Sequence, residues 1–242
     1  MISVEGLNVS YGPVTAVRGV DLAVGDGEIV VVLGRNGAGK TTTLKAMAGL
    51  LPATSGTIVL DGIDVTSEPA EDRVRRGLML VPEGRGMFAD LTVRENLLMG
   101  AYHRRQPRSR LRPDLDRVTE RFPRLVERLD QTAGSLSGGE QQMLAVARGL
   151  MSGPKILMVD EPSLGLAPIV VEKLYELFHD LATSGLTLVI VEQYVQVALS
   201  IADRAYVLDK GVVALTGTAR ELSSSPELID AYLSSAPEES LA

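Results

Sequence analysis

Between Gly34 and Thr42 the chain reads GRNGAGKTT, a glycine-rich run with a lysine and hydroxyls behind its last glycine. The spacing G-x-x-x-x-G-K-[ST], placed between a strand and a helix, is that of a loop that cradles phosphates. Glycines let backbone N–H groups converge on phosphate oxygens, and the N-terminus of the following helix adds its positive dipole end. Lys40 supplies charge for the outer phosphates, and the Thr41 hydroxyl can ligate magnesium. Gly34, Arg35, Asn36, Gly37, Ala38, Gly39, Lys40, Thr41 and Thr42 are therefore the candidate nucleotide-binding residues.

A second stretch, KILMVDEPS, ends an apolar run in two adjacent carboxylates, Asp160 and Glu161. Successive strand residues point to opposite faces, so the two need not share a role. Asp160 suits a magnesium ion held through water. Glu161 suits the polarisation of an attacking water in line with the outer phosphate. Alone, the pair would read as an acidic strand end; the lysine loop makes it catalytic.

A third stretch, SLSGGEQQMLAVARG, puts Ser137, Gly138 and Gly139 at the start of a helical pattern. They offer a hydroxyl, backbone amides and a helix N-terminus, but no lysine. Such a loop is too weak to hold a nucleotide by itself and could complete a site already occupied. Two chains packed head to tail would let each loop close the other chain's nucleotide.

The elements that must position these residues are legible. EIVVVLG, KILMVDEP and LTLVIVEQ are continuous apolar runs, the pattern of strands buried on both faces. ISVEGLNVSYG alternates and predicts an edge-type strand. KTTTLKAMAGLL predicts a helix stopped by Pro52, GTIVLDGIDV strand-turn-strand, and GLMLVPEG a short buried strand. From about Gly84 the texture turns helical, in LTVRENLLMGAYHRR, DLDRVTERFPRLVERL and EQQMLAVARGLMSG. PIVVEKLYELFHDLAT predicts a further helix with proline at an early position. RAYVLDKGVVALTG predicts two strands joined at Lys210-Gly211. The tail SSAPEESLA is expected to fray.

Composition narrows the chemistry further. The 242 residues are 45% apolar and 23% charged, which suits one globular domain. There are no cysteines and two histidines, so disulfides, thiolate zinc and cysteine nucleophiles are excluded and a polyhistidine metal site is not expected. The net charge of −7 argues against nonspecific nucleic-acid binding. The basic run HRRQPRSRLR, His103 to Arg112, reads as a solvated loop or helix face. No apolar run reaches the ~18–20 residues of a membrane span, and the first residues lack the pattern of a signal peptide. A cytoplasmic chain that meets a membrane only through a partner is the expectation.

Taken together, GRNGAGKTT, LSGGEQQ and ILMVDEPS, in this order, resemble the ATP-binding subunit of an ABC transporter over nearly the whole chain. The resemblance implies an α/β P-loop NTPase of the ABC ATPase type: a mixed sheet core with an antiparallel β edge and an inserted helical subdomain. The core would take about residues 1–83 and 150–242 of a single domain, and the helical part about 84–149. It implies two subunits sandwiching two ATP molecules, sister or self, whose closure drives membrane permease subunits. It also assigns Tyr11 to stacking on adenine. VPEGRGMFADLTVRENLLMGA, DEPSLGLAP and VEQ resemble more narrowly the subunit serving branched-chain amino acid importers, which work with an extracytoplasmic solute-binding protein. A related subfamily serves urea or short amides.

Three positions depart from the general family pattern. Glu83 stands where most members have a glutamine and could still ligate magnesium or its water. Leu166 stands in place of the aspartate that usually ends the loop after Glu161. Gln193 stands in place of the switch histidine that touches the outer phosphate. Glu83 and Gln193 fit the branched-chain subfamily. A non-transport ATP switch usually carries two cassettes or long insertions, and a P-loop kinase has no LSGGEQQ loop, so both are weaker readings than a transport ATPase.

Overall fold

The computed structural model describes residues 1–225; the tail Ser234–Ala242 lies outside them. An antiparallel sheet of four strands has the order β2-β1-β4-β5, where β1 is Ile2–Tyr11, β2 Val14–Val24, β4 Ser55–Leu60 and β5 Ile63–Asp64. β1, expected at an edge, is instead paired on both flanks, to β2 and to β4. β2 takes the edge. Its sequence hides it, because Gly19 at φ 58 and repeated register shifts break the alternation that marks a strand.

The second sheet has six strands in the order β10-β9-β3-β8-β7-β6. These are β3 Ile29–Gly34, β6 Leu78–Val81, β7 Ile156–Asp160, β8 Thr187–Glu192, β9 Arg204–Asp209 and β10 Val212–Thr218. The five strands β9, β3, β8, β7 and β6 run parallel, and β10 returns antiparallel beside β9. The β9–β10 turn is Lys210-Gly211 as expected, with φ 46 and 86. Positive φ at both centres matches the twist of a two-residue hairpin. β3, β7 and β8 are buried at every position, as their unbroken apolar runs require.

Helix α1, Lys40–Met47, leaves β3 through the glycine loop. Gly49, at φ 74, ends it before Pro52 is reached. A cation completes this end. Arg73, in α2 (Ala70–Arg75), is 1% exposed and donates to the carbonyls of Ala46, Met47, Thr66 and Glu68 at 2.7–3.0 Å. Its guanidinium thus meets the negative end of the α1 dipole, where a partly buried cation is worth up to about 2 kcal/mol.

The middle of the chain is helical: α3 Val93–Gly100, α4 Arg108–Glu120, α5 Pro123–Val126 and α6 Gly138–Leu150. DLDRVTERFPRLVERL is two helices and not one. Pro123 offers no N–H and turns Phe122 out of helical geometry, to φ −129 and ψ 64. The basic run from His103 is largely exposed, as expected. Leu97, Leu111, Leu125 and Leu144 from these helices share one buried cluster with Val31, Leu33 and Val159 on one sheet face. α7 Pro168–Thr183, α8 Val195–Leu199 and α9 Ala219–Ser223 cover the same face. The opposite face, with Val30, Val32 and Met158, packs on α1 and the antiparallel sheet. Each Val or Leu so buried contributes about 1.5–3 kcal/mol.

Candidate functional site

The carboxyl ends of four neighbouring parallel strands deliver the candidate residues to one edge. In spatial order these strands are β3, β8, β7 and β6. They lead into the lysine loop, Gln193, the Asp160–Glu161 pair and Glu83. This is where an open α/β sheet binds its ligand.

The loop from Gly34 to Gly39 is shaped by lack of side chains. A Cβ on Gly34 would lie 2.6 Å from the Leu208 carbonyl oxygen, and one on Gly39 2.9 Å from that of Ala16. Gly37 and Gly39 have φ 81 and 100, and Gly39 caps α1 with no side-chain hydrogen bond. The first amides of α1 are therefore not consumed by a cap. Arg35, Asn36 and Gly37 are exposed and Ala38 is buried.

Lys40 is 4% exposed and reaches back across the loop. Its ammonium lies 3.2 Å from Glu161 Oε1 and donates to the Arg35 carbonyl at 3.3 Å. Glu161 has φ 46, a left-handed conformation that side-chain-bearing residues rarely hold without support. Its N–H donates to the Val191 carbonyl, and Gln193 Nε2 donates to its Oε2 at 2.8 Å. Lys40, Glu161 and Gln193 thus form one contact chain. Gln193, expected to serve a phosphate, has its amide on the Glu161 carboxylate.

Asp160 lies on the neighbouring position and is 2% exposed. Thr41 Oγ1 donates to its Oδ1 at 3.0 Å, while its Oδ2 is buried with no hydrogen-bond partner. Burial pushes its carboxyl up to about 6, with the charges of Glu161 and Glu83 adding to the rise and the Thr41 hydrogen bond opposing it. A buried carboxylate oxygen without a donor is what a cation would satisfy. Among the described residues no three acidic or histidine side chains cluster as a self-sufficient metal site. One hydroxyl and one carboxylate, with phosphates as further ligands, is nevertheless how magnesium is commonly bound. The residues present fit that ion.

Tyr11 ends β1, is 48% exposed, and its hydroxyl lies 3.4 Å from Thr42 Oγ1. Its ring therefore stands beside the glycine loop. Ser137, Gly138 and Gly139 are built differently. Ser137 N-caps α6 in a reciprocal box: its Oγ accepts the Glu140 N–H at 3.4 Å, and the Glu140 carboxylate accepts the Ser137 N–H at 3.0 Å. Cβ atoms on Gly138 and Gly139 would face Arg85 and Val170. The cation missing from this loop's sequence arrives from elsewhere: Arg128 Nε lies 2.8 Å from Glu140.

Two arginines tie the segment after Glu83 to α6. Arg85 donates to Gln141 Oε1 at 2.6 Å. Arg148, buried, donates to the carbonyls of Gly86 and Arg85, and its guanidinium sits 5.6 Å over the Phe88 ring. Burial holds the Arg148 guanidinium below its usual range. Sequence reasoning missed both contacts, because an arginine in an exposed-looking loop, like Arg85, or in an amphipathic helix, like Arg148, reads as surface charge. Leu166 is half-buried against the core.

A glycine loop with a buried lysine on a parallel sheet, facing a strand-end carboxylate pair, defines a P-loop nucleoside triphosphatase. A family model described as ABC transporter matches residues 17–164. The chain is 44% identical over 233 residues to the high-affinity branched-chain amino acid transport ATP-binding protein BraG of Pseudomonas aeruginosa, covering 96% of this chain and 99% of that one. It is 39% identical to the probable branched-chain amino acid transport ATP-binding protein LivF of Archaeoglobus fulgidus, covering 92% and 94%. The fold matches the dimeric structure of the bacterial ABC transporter cassette MJ0796 with a TM-score of 0.77 and 26% identity, over 91% and 99% of the two chains. The chain belongs to the ABC transporter family, as an ATP-binding cassette with the ATPase activity of that family. No helix among the described residues is long and apolar enough to cross a membrane.

Proposed function

We propose that this chain binds magnesium-ATP and hydrolyses it to drive uptake of branched-chain amino acids through a membrane permease. The observation that carries the chemistry is the convergence of Lys40 and Gln193 on Glu161, at 3.2 and 2.8 Å, beside the unpaired buried oxygen of Asp160. The solute class rests on the likeness to BraG and LivF, over nearly their full lengths.

In this reading residues 34–42 cradle the phosphates, Lys40 neutralises the outer ones and Tyr11 carries the base. Thr41 and Asp160, with Glu83 at the rim, hold magnesium, which when bound supplies positive charge at the phosphate oxygens. Lys40 leaves Glu161 for the arriving phosphates. The freed carboxylate, steadied by Gln193, takes a proton from the attacking water. Ser137 to Gly139 close the nucleotide of a second cassette, sister or self, packed head to tail; the dimeric form of MJ0796 supports this pairing.

The permease docks, in this reading, where the helical part of residues 84–149 meets the core. A hollow of about 320 Å³ there is lined by Met79, Gly86, Phe88, Met99, Tyr102 and Arg148, and Phe88 is 47% exposed. The chain would sit at the cytoplasmic face of the membrane through that contact and meet the extracytoplasmic solute-binding protein only through the permease.

Glu161→Gln tests the chemistry. It should bind ATP normally, accumulate as an ATP-bound dimer and lose hydrolysis by ~10²-fold or more, the usual cost of removing a general base. Near-normal turnover would sink the assignment. For the solute, cells lacking this chain should lose uptake of labelled leucine and valine; loss of urea or amide uptake in their place would move the chain to the related subfamily.

A further inference from the structure

Glu192 ends β8, is 1% exposed and stands opposite Leu33 of β3 in the parallel register. A carboxylate at that depth is costly unless it is answered. No cation among the described residues lies within ion-pair distance of it; two backbone amides answer it. One oxygen accepts the Ser163 N–H at 3.0 Å and the other accepts the Gln193 N–H at 3.1 Å. Tyr175 of α7 lies against the same group, and its hydroxyl is pushed up first by burial and then by the Glu192 charge.

The two amides belong to the segments that flank Glu161. Ser163 lies in the loop that follows it, and Gln193 carries the side chain that donates to it. Glu161 itself holds a left-handed backbone conformation, which persists only where its surroundings fix it. The two N–H donors arrive from two loops on separate oxygens of one side chain. A carboxylate accepts at both atoms, whereas an amide in the same place would set its NH2 donors against one of the two N–H groups.

We propose that Glu192 is a positioning residue for ATP hydrolysis, tying the loop after Glu161 to the backbone of Gln193 so that the Gln193 amide meets the Glu161 carboxylate. This rests on the reading of Glu161 as the group that activates water. Glu192 does not touch the nucleotide: it acts through the placement of Gln193 and Glu161.

The test compares the full-length parent with Glu192→Gln, Glu192→Asp, Gln193→Ala, the double variant Glu192→Gln/Gln193→Ala, and Glu161→Gln. ATP affinity, kcat for phosphate release and Tm are measured for each. Glu192→Gln should lower kcat about tenfold or more, as expected for a misplaced catalytic group, with ATP affinity within about twofold of the parent. The double variant should be no slower than the slower single one, because both changes act on one contact. Glu192→Asp, which keeps the charge but withdraws it by one methylene, should lower kcat about threefold or more, and reads the same effect if the glutamine variant does not fold. Unchanged kcat in Glu192→Asp or Glu192→Gln overturns the proposal. So does a parallel fall of ATP affinity and Tm with kcat, or a double variant that loses the product of the single losses. If Glu161→Gln abolishes hydrolysis while Glu192→Gln is neutral, only the positioning role fails; full activity in Glu161→Gln overturns the catalytic reading with it.

Discussion

Two helix N-termini in this chain, those of α1 and α6, carry the residues proposed to meet phosphate, and they are prepared in opposite ways. At α1 the cap is a bare glycine, the first amides have no side-chain partner, and the cation is buried in contact with Glu161. At α6 the cap is Ser137, exposed and engaged with Glu140, which is balanced in turn by Arg128. The first holds its charges ready under cover, and a phosphate has only to displace Glu161 from Lys40. The second is satisfied by its own neighbours, and a phosphate there must compete with a carboxylate. A helix start free of a cap can bind alone; one that is capped and carboxylate-bearing needs a ligand presented to it already held. The difference is what the proposed division of the site between two chains requires.

The largest effect should come from removing the cation at α1. Lys40→Ala takes a charge-assisted contact out of a dry loop and leaves Glu161 against the phosphates, so tight ATP binding, and hydrolysis with it, should be abolished. A direct binding titration that finds the parental affinity would erase the contrast between the two loops. Next comes Ser137→Arg, which should keep ATP binding by the single chain and abolish hydrolysis by blocking closure. Loss of single-chain binding in this variant would mean that the α6 loop acts on its own nucleotide.

Gln193 sharpens the α1 side. Gln193→Ala should slow hydrolysis several-fold by releasing Glu161, and Gln193→Glu should be slower still, since it sets one carboxylate against another. Gln193→His should stay active and gain a pH dependence near its unperturbed value of ~6.5. A pH–rate series on the parent and the three variants reads this directly, and equal rates throughout would detach Gln193 from the reaction.

The smallest effect is thermal. The native carboxyl of Asp160 titrates at about 6, above the 3.8 of a solvated aspartate, so the folded chain prefers it protonated. That preference stabilises the fold fully below the unfolded value and is lost as pH rises through 6; at neutral pH the ionised group is a cost. Asp160→Asn should therefore raise the Tm of the nucleotide-free chain by several degrees at neutral pH, with the gain vanishing towards pH ~4. Calorimetry at the two pH values checks both the sign and the trend.

Much of the site was legible because its signals are local. The glycine spacing announced the loop, unbroken apolar runs announced β3, β7 and β8, and the carboxylate pair stood at the end of one of them. β2 escaped because its bulges and Gly19 spoil the two-residue period. The end of α1 was misjudged because Gly49, and not the proline, provides the left-handed turn. Arg73, Arg148 and Glu192 escaped for a different reason. Each is charged and buried, and composition along a chain does not tell which charges will be enclosed.

Short-range chemistry settled what each segment can be: a glycine loop shaped for phosphates, strands buried on both faces, a serine-capped helix, a carboxylate pair at a strand end. These follow from backbone period, glycine freedom and side-chain chemistry within a few residues. Which groups meet was left to the packed fold. The order β3-β8-β7 sets the Gln193 segment between Lys40 and Glu161, although the three lie far apart in the chain. Burial then decides the rest, because a charge withdrawn from water must find its partner across the fold, and the packing of strands, helices and loops fixes which partner is within reach.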